Sequence, residues 1–301
     1  MAEYFLYLAG QFIALSLPLS LVYRIAVIIS DVRSIFAGED RKAVAENLKI
    51  IFPDKSDREI ALIRRQMFRN FAKYLADFFR FSKVDKAYVR QNVRFENLHY
   101  FDEVSSKGKG VIIVSAHLGN WELGGAAVGL LGYPVWAVAL PHKNKKVNDF
   151  FNSQRESKGL KVIQLGKAVR QCLHILGENQ LLALVGDRDF TESGAVVSFF
   201  GKPAYFPEGP AALCLKTGAP IIPVFMLRDD NDGFVLKIEK PISFTPSGDK
   251  HKDIPALIER YKVVIEQYIR TYPEQWYMFR RFWIPALPQD GNASGRTGIN
   301  R

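Results

Sequence analysis

From residue 110 onward, short apolar runs alternate with helical segments, and this alternation leaves little choice of architecture. GVIIVSA is followed by ELGGAAVGLL, PVWAVAL by a helical stretch over 144–158, and LKVIQL by AVRQCLHIL; LLALVGD, APIIPVFML and FVLKIE come later. Runs this short, without polar alternation, predict strands buried on both faces, and an intervening helix makes successive strands parallel. The expected class is therefore α/β, a mostly parallel central sheet with helices on both faces. In such folds ligands bind in the crevice beyond the carboxyl ends of the strands, so residues just after each run are the first candidates for function. A last helix is expected over 254–271.

The first third has helical periodicity instead. A segment over 40–51 (DRKAVAENLKII) stops at Phe52-Pro53, and Ser56 or Asp57 caps a long helix running to about Phe81. One face of that helix is apolar (Ile60, Ile63, Met67, Phe71, Tyr74, Leu75, Phe78) at three-and-four spacing. The other carries Arg58, Arg65, Arg69 and Lys73, either a solvated face or a dock for phosphates or an acidic carrier protein. Ahead of these lies an uncharged stretch, residues 4–23, long enough to span a bilayer at about 1.5 Å per residue, although Gln11, Ser16, Pro18, Ser20 and Arg24 weaken a span. It lacks a basic leader and a small-residue cleavage site, which argues against a secretory signal. The expectation is a membrane-associating helix over residues 1–30, embedded or interfacial, with an amphipathic helix packed on the domain as the alternative. No second run of that length follows, so a multi-pass protein is not expected. Residues 31–287 would form one domain and 288–301 a disordered tail.

With 48% hydrophobic residues in 301, the chain can bury a large core. Its formal net charge of +10 favours a negatively charged partner, but no nucleic-acid motif is present, leaving an anionic membrane face or an acidic protein. Cys172 and Cys214 sit in apolar helical stretches outside any C-x-x-C spacing and read as reduced core residues.

The run GVIIVSA ends in His117, within H-L-G-N-W-E. On one continuous helix the five-residue step to Glu122 would part the two side chains by about 140°. A Gly119-Asn120 turn before the helix removes that obstacle and lets Glu122 reach the imidazole. A carboxylate on one ring nitrogen fixes the tautomer and raises the basicity of the other, which can then take a proton from a hydroxyl. The plainer alternative is a His–carboxylate pair that only stabilises the turn. Nothing resembles G-x-S-x-G, and His99, His142, His174 and His251 lack metal-ligand spacing, so a serine hydrolase and a zinc enzyme are both disfavoured.

In the context SAHLGNWE, His117 and Glu122 resemble the His-x4-Asp/Glu motif of the glycerolipid acyltransferase superfamily. The closer resemblance is to bacterial lipid A biosynthesis late acyltransferases and the mycobacterial phosphatidylinositol mannoside acyltransferases. It extends over nearly the whole chain through Asn47-Leu48, Phe52-Pro53, Pro141, Asn144, Arg155 with Gly159, Asp187-Arg188-Asp189, FFGKPAYFPEGPAALCLKTGAPIIPV and PEQWYMFRRF. The resemblance implies His117 as general base, Glu122 as the group that orients it, and Arg155 as an active-site arginine. It places Asp187 and Arg188 near the substrate headgroup or in an ion pair holding the loop. Glu192 is the match for a glutamate that approaches the histidine in the mannoside-acylating relatives. Glu208 and Gly209, in FPEG, are weaker phosphate-binding candidates because Pro210-Ala211 replaces the usual Thr-Arg.

The implied reaction moves a fatty acyl chain from an acyl carrier protein or coenzyme A thioester to a glycolipid hydroxyl, without metal or other cofactor. The expected acceptor is a lipid A precursor, with a phosphatidylinositol mannoside or other polar glycolipid as the alternative. A non-catalytic basic protein binding membrane surfaces is the remote rival. The expected location is the cytoplasmic face of the inner membrane. Backbone N–H groups near Gly119 or at 208–212 are candidate oxyanion donors, and Phe199, Phe200, Tyr205, Phe206 or Trp121 candidate acyl-slot walls.

Overall fold

Each apolar run after residue 110 forms a strand, and the sheet they build fixes where function can sit. The structure, a computed structural model, describes residues 2–164, 168–189 and 193–285. The expected tail at 288–301 and Glu192 lie outside them. Four helices come first: α1 (Ala2–Ser16), α2 (Leu19–Phe36), α3 (Gly38–Ile51) and α4 (Asp57–Phe79). The α/β part follows with α5 (Lys86–Asn92), β1 (Val93–Glu96), α6 (His99–Ser105), β2 (Val111–Ser115), α7 (Trp121–Leu130), β3 (Val135–Ala139), α8 (Lys145–Glu156) and β4 (Leu160–Gln164). It continues through α9 (Ala168–Gly177), β5 (Leu181–Val185), β6 (Ala195–Phe199), β7 (Lys202–Phe206), α10 (Gly209–Thr217), β8 (Ile221–Arg228), β9 (Phe234–Ile238) and α11 (Lys250–Thr271).

Seven strands form one sheet in the order β1-β9-β8-β2-β5-β3-β4, and only the β8–β9 pair is antiparallel. Alternate residues of β2 enter opposite cores. Val111 and Ile113 join the cluster that includes α7 and α8 residues, while Ile112 and Val114 join the one with α9 and α11 residues. The mostly parallel sheet is thus as expected; β1 and the β6–β7 hairpin are additions. The sheet opens at one point. β3 pairs with β5 only as far as Ala137↔Ala183, yet stays paired with β4 to Ala139, while β5 stays paired with β2 to Val185. The carboxyl ends of β3 and β5 therefore diverge.

The N-terminal apolar stretch is not one helix. Pro18 has no N–H to donate and disfavours helical geometry at Leu17, so the chain breaks there into α1 and α2. Both pack on α4, and α1 also reaches α8 through Tyr7, whose ring meets Phe150 and Phe151. Among the described residues no helix is long and apolar enough to cross a membrane. Large apolar side chains nevertheless face outward from this pair, Leu6 and Phe12 on α1 and Ile28, Ile29, Ile35 and Phe36 on α2.

Helix α4 begins at the expected cap, a full capping box between Ser56 and Glu59. Of its basic face, Arg65, Arg69 and Lys73 are ion-paired within the fold. Arg69 grips Asp31 of α2 with Nε and a terminal nitrogen (2.9 and 2.5 Å), and Arg65 adds a third bond at 3.0 Å. These hydrogen bonds hold the Asp31 carboxyl far below the usual carboxylate range. Lys73 pairs with Asp232 at 2.7 Å. The basic stripe fastens α2, and the turn after β8, onto α4.

Candidate active site

His117 and Asp187 meet because of strand register. Ser115 on β2 pairs with Val185 on β5, so the residues two positions further along each strand emerge side by side. His117 Nδ1 lies 2.8 Å from Asp187 Oδ1, and the His117 backbone N–H donates to Asp187 Oδ2 at 3.1 Å. Trp276 Nε1–H donates to the same Oδ2 at 3.0 Å, and the Tyr277 N–H donates to the His117 carbonyl at 2.9 Å. Asp187 is fully buried. Burial alone would raise its pKa, but the neighbouring His117 and the hydrogen bonds from His117 and Trp276 hold it below the ordinary value. A carboxylate in that state only accepts, so Nδ1 carries the proton and, in the neutral ring, Nε2 has the lone pair. His117 lines the cavity and Asp187 does not.

This corrects the expected pairing, because the carboxylate on Nδ1 is Asp187 and not Glu122. The Gly119-Asn120 turn forms as anticipated. Gly119 adopts φ +65°, where a Cβ would fall 2.0 Å from the Met226 carbonyl oxygen, so glycine is required there. Asn120 then caps α7, its Oδ1 accepting from the Leu123 N–H at 3.1 Å. The turn delivers Glu122 to Arg155 of α8, which binds it with Nε–H at 2.8 Å and a terminal N–H at 2.5 Å. The pair is nearly buried. Burial opposes the Arg155 charge, but the Glu122 carboxylate raises its pKa on balance. Arg155 also donates to Asn152 Oδ1 at 3.2 Å.

These groups surround one cavity of about 820 Å³, lined by His117, Trp121, Glu122, Arg155, Arg188, Glu208 and Gly209 together with many apolar residues. That volume suits a sizeable organic ligand. Where β3 and β5 part, the cavity reaches both faces of the sheet. Ile113, Ala137, Ala183 and Leu236 line it on the α7 side, and Val138, Cys172, Leu184 and Leu213 on the α9–α10 side. Each residue of Asp187-Arg188-Asp189 has its own place. Asp187 meets the imidazole, Arg188 lines the cavity, and Asp189 Oδ2 accepts from the Ser193 and Gly194 N–H groups at 2.9 and 2.6 Å.

Two further expectations change. The Gly119 and Asn120 N–H groups donate to the carbonyls of Gln275 and Met226, so they are engaged in holding the turn, which leaves the start of α10 as the other expected location for oxyanion donors. Of the five proposed slot aromatics only Trp121 lines the cavity, since Phe199 and Phe206 pack fully buried with Phe282. Trp276 is the contributor that sequence reasoning missed. It lies in a segment singled out by resemblance, but no local pattern ties an indole near the carboxyl end to a carboxylate after β5.

A Phosphatidylinositol mannoside acyltransferase of Mycolicibacterium smegmatis is 29% identical, over 77% of this chain and 75% of that protein. The Lipid A biosynthesis palmitoleoyltransferase of Escherichia coli is 24% identical, over 80% and 78%. The solved 1-acyl-sn-glycerophosphate acyltransferase of Thermotoga maritima is a looser likeness, with a TM-score of 0.36 at 16% identity over 79% of this chain and 98% of that one. The family described as "Bacterial lipid A biosynthesis acyltransferase" matches residues 1–284. The chain is an acyltransferase and belongs to that family.

Proposed function

We propose that this enzyme transfers a fatty acyl chain from a thioester to a hydroxyl of a membrane glycolipid, with His117 as general base and Asp187 as its fixed carboxylate. The supporting observation is the 2.8 Å Nδ1–Asp187 contact, which leaves Nε2 as the basic edge on the cavity. Nε2 takes the proton as the acceptor oxygen bonds to the thioester carbonyl carbon. The resulting oxyanion collapses, the C–S bond breaks, and the departing thiolate takes the proton back from the imidazolium. A thioester is already activated, so this sequence needs no metal or cofactor. A positioned base contributes roughly 10²–10⁴-fold. N–H groups of the first turn of α10 are candidate oxyanion donors.

The α7 limb of the cavity, walled by Ala137, Ala183 and Leu236, suits the acyl chain, whereas Arg188 and the start of α10 suit a phosphate-bearing headgroup or donor. The greater identity to the mannoside acyltransferase favours a mannosylated phosphatidylinositol over the lipid A precursor suggested by sequence. The apolar outer faces of α1 and α2 and the net charge of +10 support attachment to an anionic bilayer surface, with the helices lying on it. The donor, carrier protein or coenzyme A, belongs to the same test. Purified enzyme is offered palmitoyl thioesters of both carriers, with a phosphatidylinositol mannoside and a lipid A precursor as acceptors, and acylated product is followed by mass spectrometry. Transfer is expected from wild type and absent from His117→Ala. Normal turnover by His117→Ala would end the proposal.

A further inference from the structure

Behind the His117–Asn120 turn, away from the cavity, lies a buried polar cluster that the reaction above does not use. Asp77 of α4 is at its centre. Its Oδ1 accepts from the Tyr23 hydroxyl of α2 at 2.5 Å, and its Oδ2 accepts from Asn120 Nδ2 at 2.9 Å and from the Arg228 guanidinium. Arg228 also donates to the Tyr23 oxygen at 3.0 Å, with its guanidinium over the Tyr23 ring at 4.9 Å. The Arg228 backbone N–H donates to Gln275 Oε1, Gln275 Nε2 donates back to the Arg228 carbonyl, and the Gln275 carbonyl receives the Gly119 N–H. Apart from the bonds of His117 to Asp187 and the Asn120 cap on α7, the tethers of the turn that carries the base lead to Asp77 or to the β8 and 275–277 neighbours of Arg228.

An apolar replacement of similar volume is often as stable as a buried ion pair, so stability alone is a weak account of this cluster. Its geometry reaches the outside. Tyr23 can bond Asp77 only while α2 is seated on α4, and α2 is the helix whose opposite face exposes Ile28, Ile29 and Ile35. We propose that Asp77 and Tyr23 are positioning residues that tie the seating of α2 to the pose of the His117–Asn120 turn, so that the apolar N-terminal helices belong to the catalytic apparatus. This rests on His117 as the base.

The test uses the full chain in mixed micelles, with palmitoyl-CoA as donor probe and phosphatidylinositol mannoside as acceptor probe. Tyr23→Phe keeps the ring on Arg228 and removes only the hydroxyl. It is expected to lower kcat about tenfold with KM for palmitoyl-CoA within about twofold, since small misplacements of catalytic groups are costly. Its melting temperature is expected to stay close to that of wild type. The His117 ring resonances, identified by their loss in His117→Ala, are expected to shift in Tyr23→Phe; this readout needs no substrate. Asp77→Asn is expected to lower kcat and shift the His117 resonances more strongly, and also to lower the melting temperature, because it leaves the buried Arg228 guanidinium without its carboxylate. Folded Tyr23→Phe with wild-type kcat and unmoved His117 resonances overturns the coupling. If His117→Ala is inactive in the same assay, that failure leaves the base assignment intact, whereas an active His117→Ala removes the base assignment itself.

Discussion

Two carboxylates within the same site have been given partners of opposite character. Asp187 faces an imidazole, a group able to give up and take back a proton during a reaction, while Glu122 faces a guanidinium, which keeps its proton. The first pair can therefore cycle through charge states during a reaction. The second is a fixed dipole that fastens α7 to α8 beside the cavity. The motif spacing names Glu122, but the carboxylate that meets the imidazole arrives from the neighbouring strand.

Asp187→Asn tests this division most severely. The amide can still meet Nδ1, but it then favours the wrong tautomer. A fall in kcat on the order of 10³–10⁴ is expected, with donor KM little changed, as measured by steady-state kinetics. A loss below tenfold would erase the distinction between the two pairs. Glu122→Ala should act first on the fold, since it strands a nearly buried guanidinium. Denaturant titration should show about 3–5 kcal/mol lost, and the double variant Glu122→Met with Arg155→Met should lose less than either single removal. Equal losses would mean that the pair is more than a fastener.

Ala137→Leu sharpens the division between site and scaffold by narrowing the limb beneath α7 without touching either pair. Competition among acyl-CoA lengths should then shift toward shorter chains by about tenfold. The Asp187 pKa is depressed on folding. Its contribution to stability is therefore present above its unfolded value and lost as pH falls through the folded one, so Asp187→Asn should flatten the acid limb of a pH–stability curve. The smallest effect is expected at Asp31→Asn, where solvent screens the pairing with Arg65 and Arg69. Thermal melts should register about 1 kcal/mol or less.

Much of the scaffold was legible because burial on two faces writes itself into sequence as unbroken apolar runs. The strands at 111–115, 135–139, 160–164 and 181–185 declare themselves in this way, and Ser56 with Glu59 announces α4. The position of the candidate base was legible too, since His117 ends such a run and lines the cavity. What could not be seen was adjacency. That β5 lies beside β2, although β3 and β4 come between them in the chain, is a property of the sheet order, and without it Asp187 has no visible claim on His117. The Arg65 and Arg69 stripe misled for a related reason. Its counter-charge, Asp31, belongs to a helix created by the break at Pro18, which an uninterrupted apolar reading of 4–23 conceals.

The indole of Trp276 and the backbone of Tyr277 complete the histidine's surroundings from the far end of the chain. During synthesis, a growing polypeptide can therefore assemble every strand of the sheet, with the imidazole already at its edge, and still lack these two contacts. Only when residues 275–277 have left the ribosome and folded back does Asp187 gain its last donor.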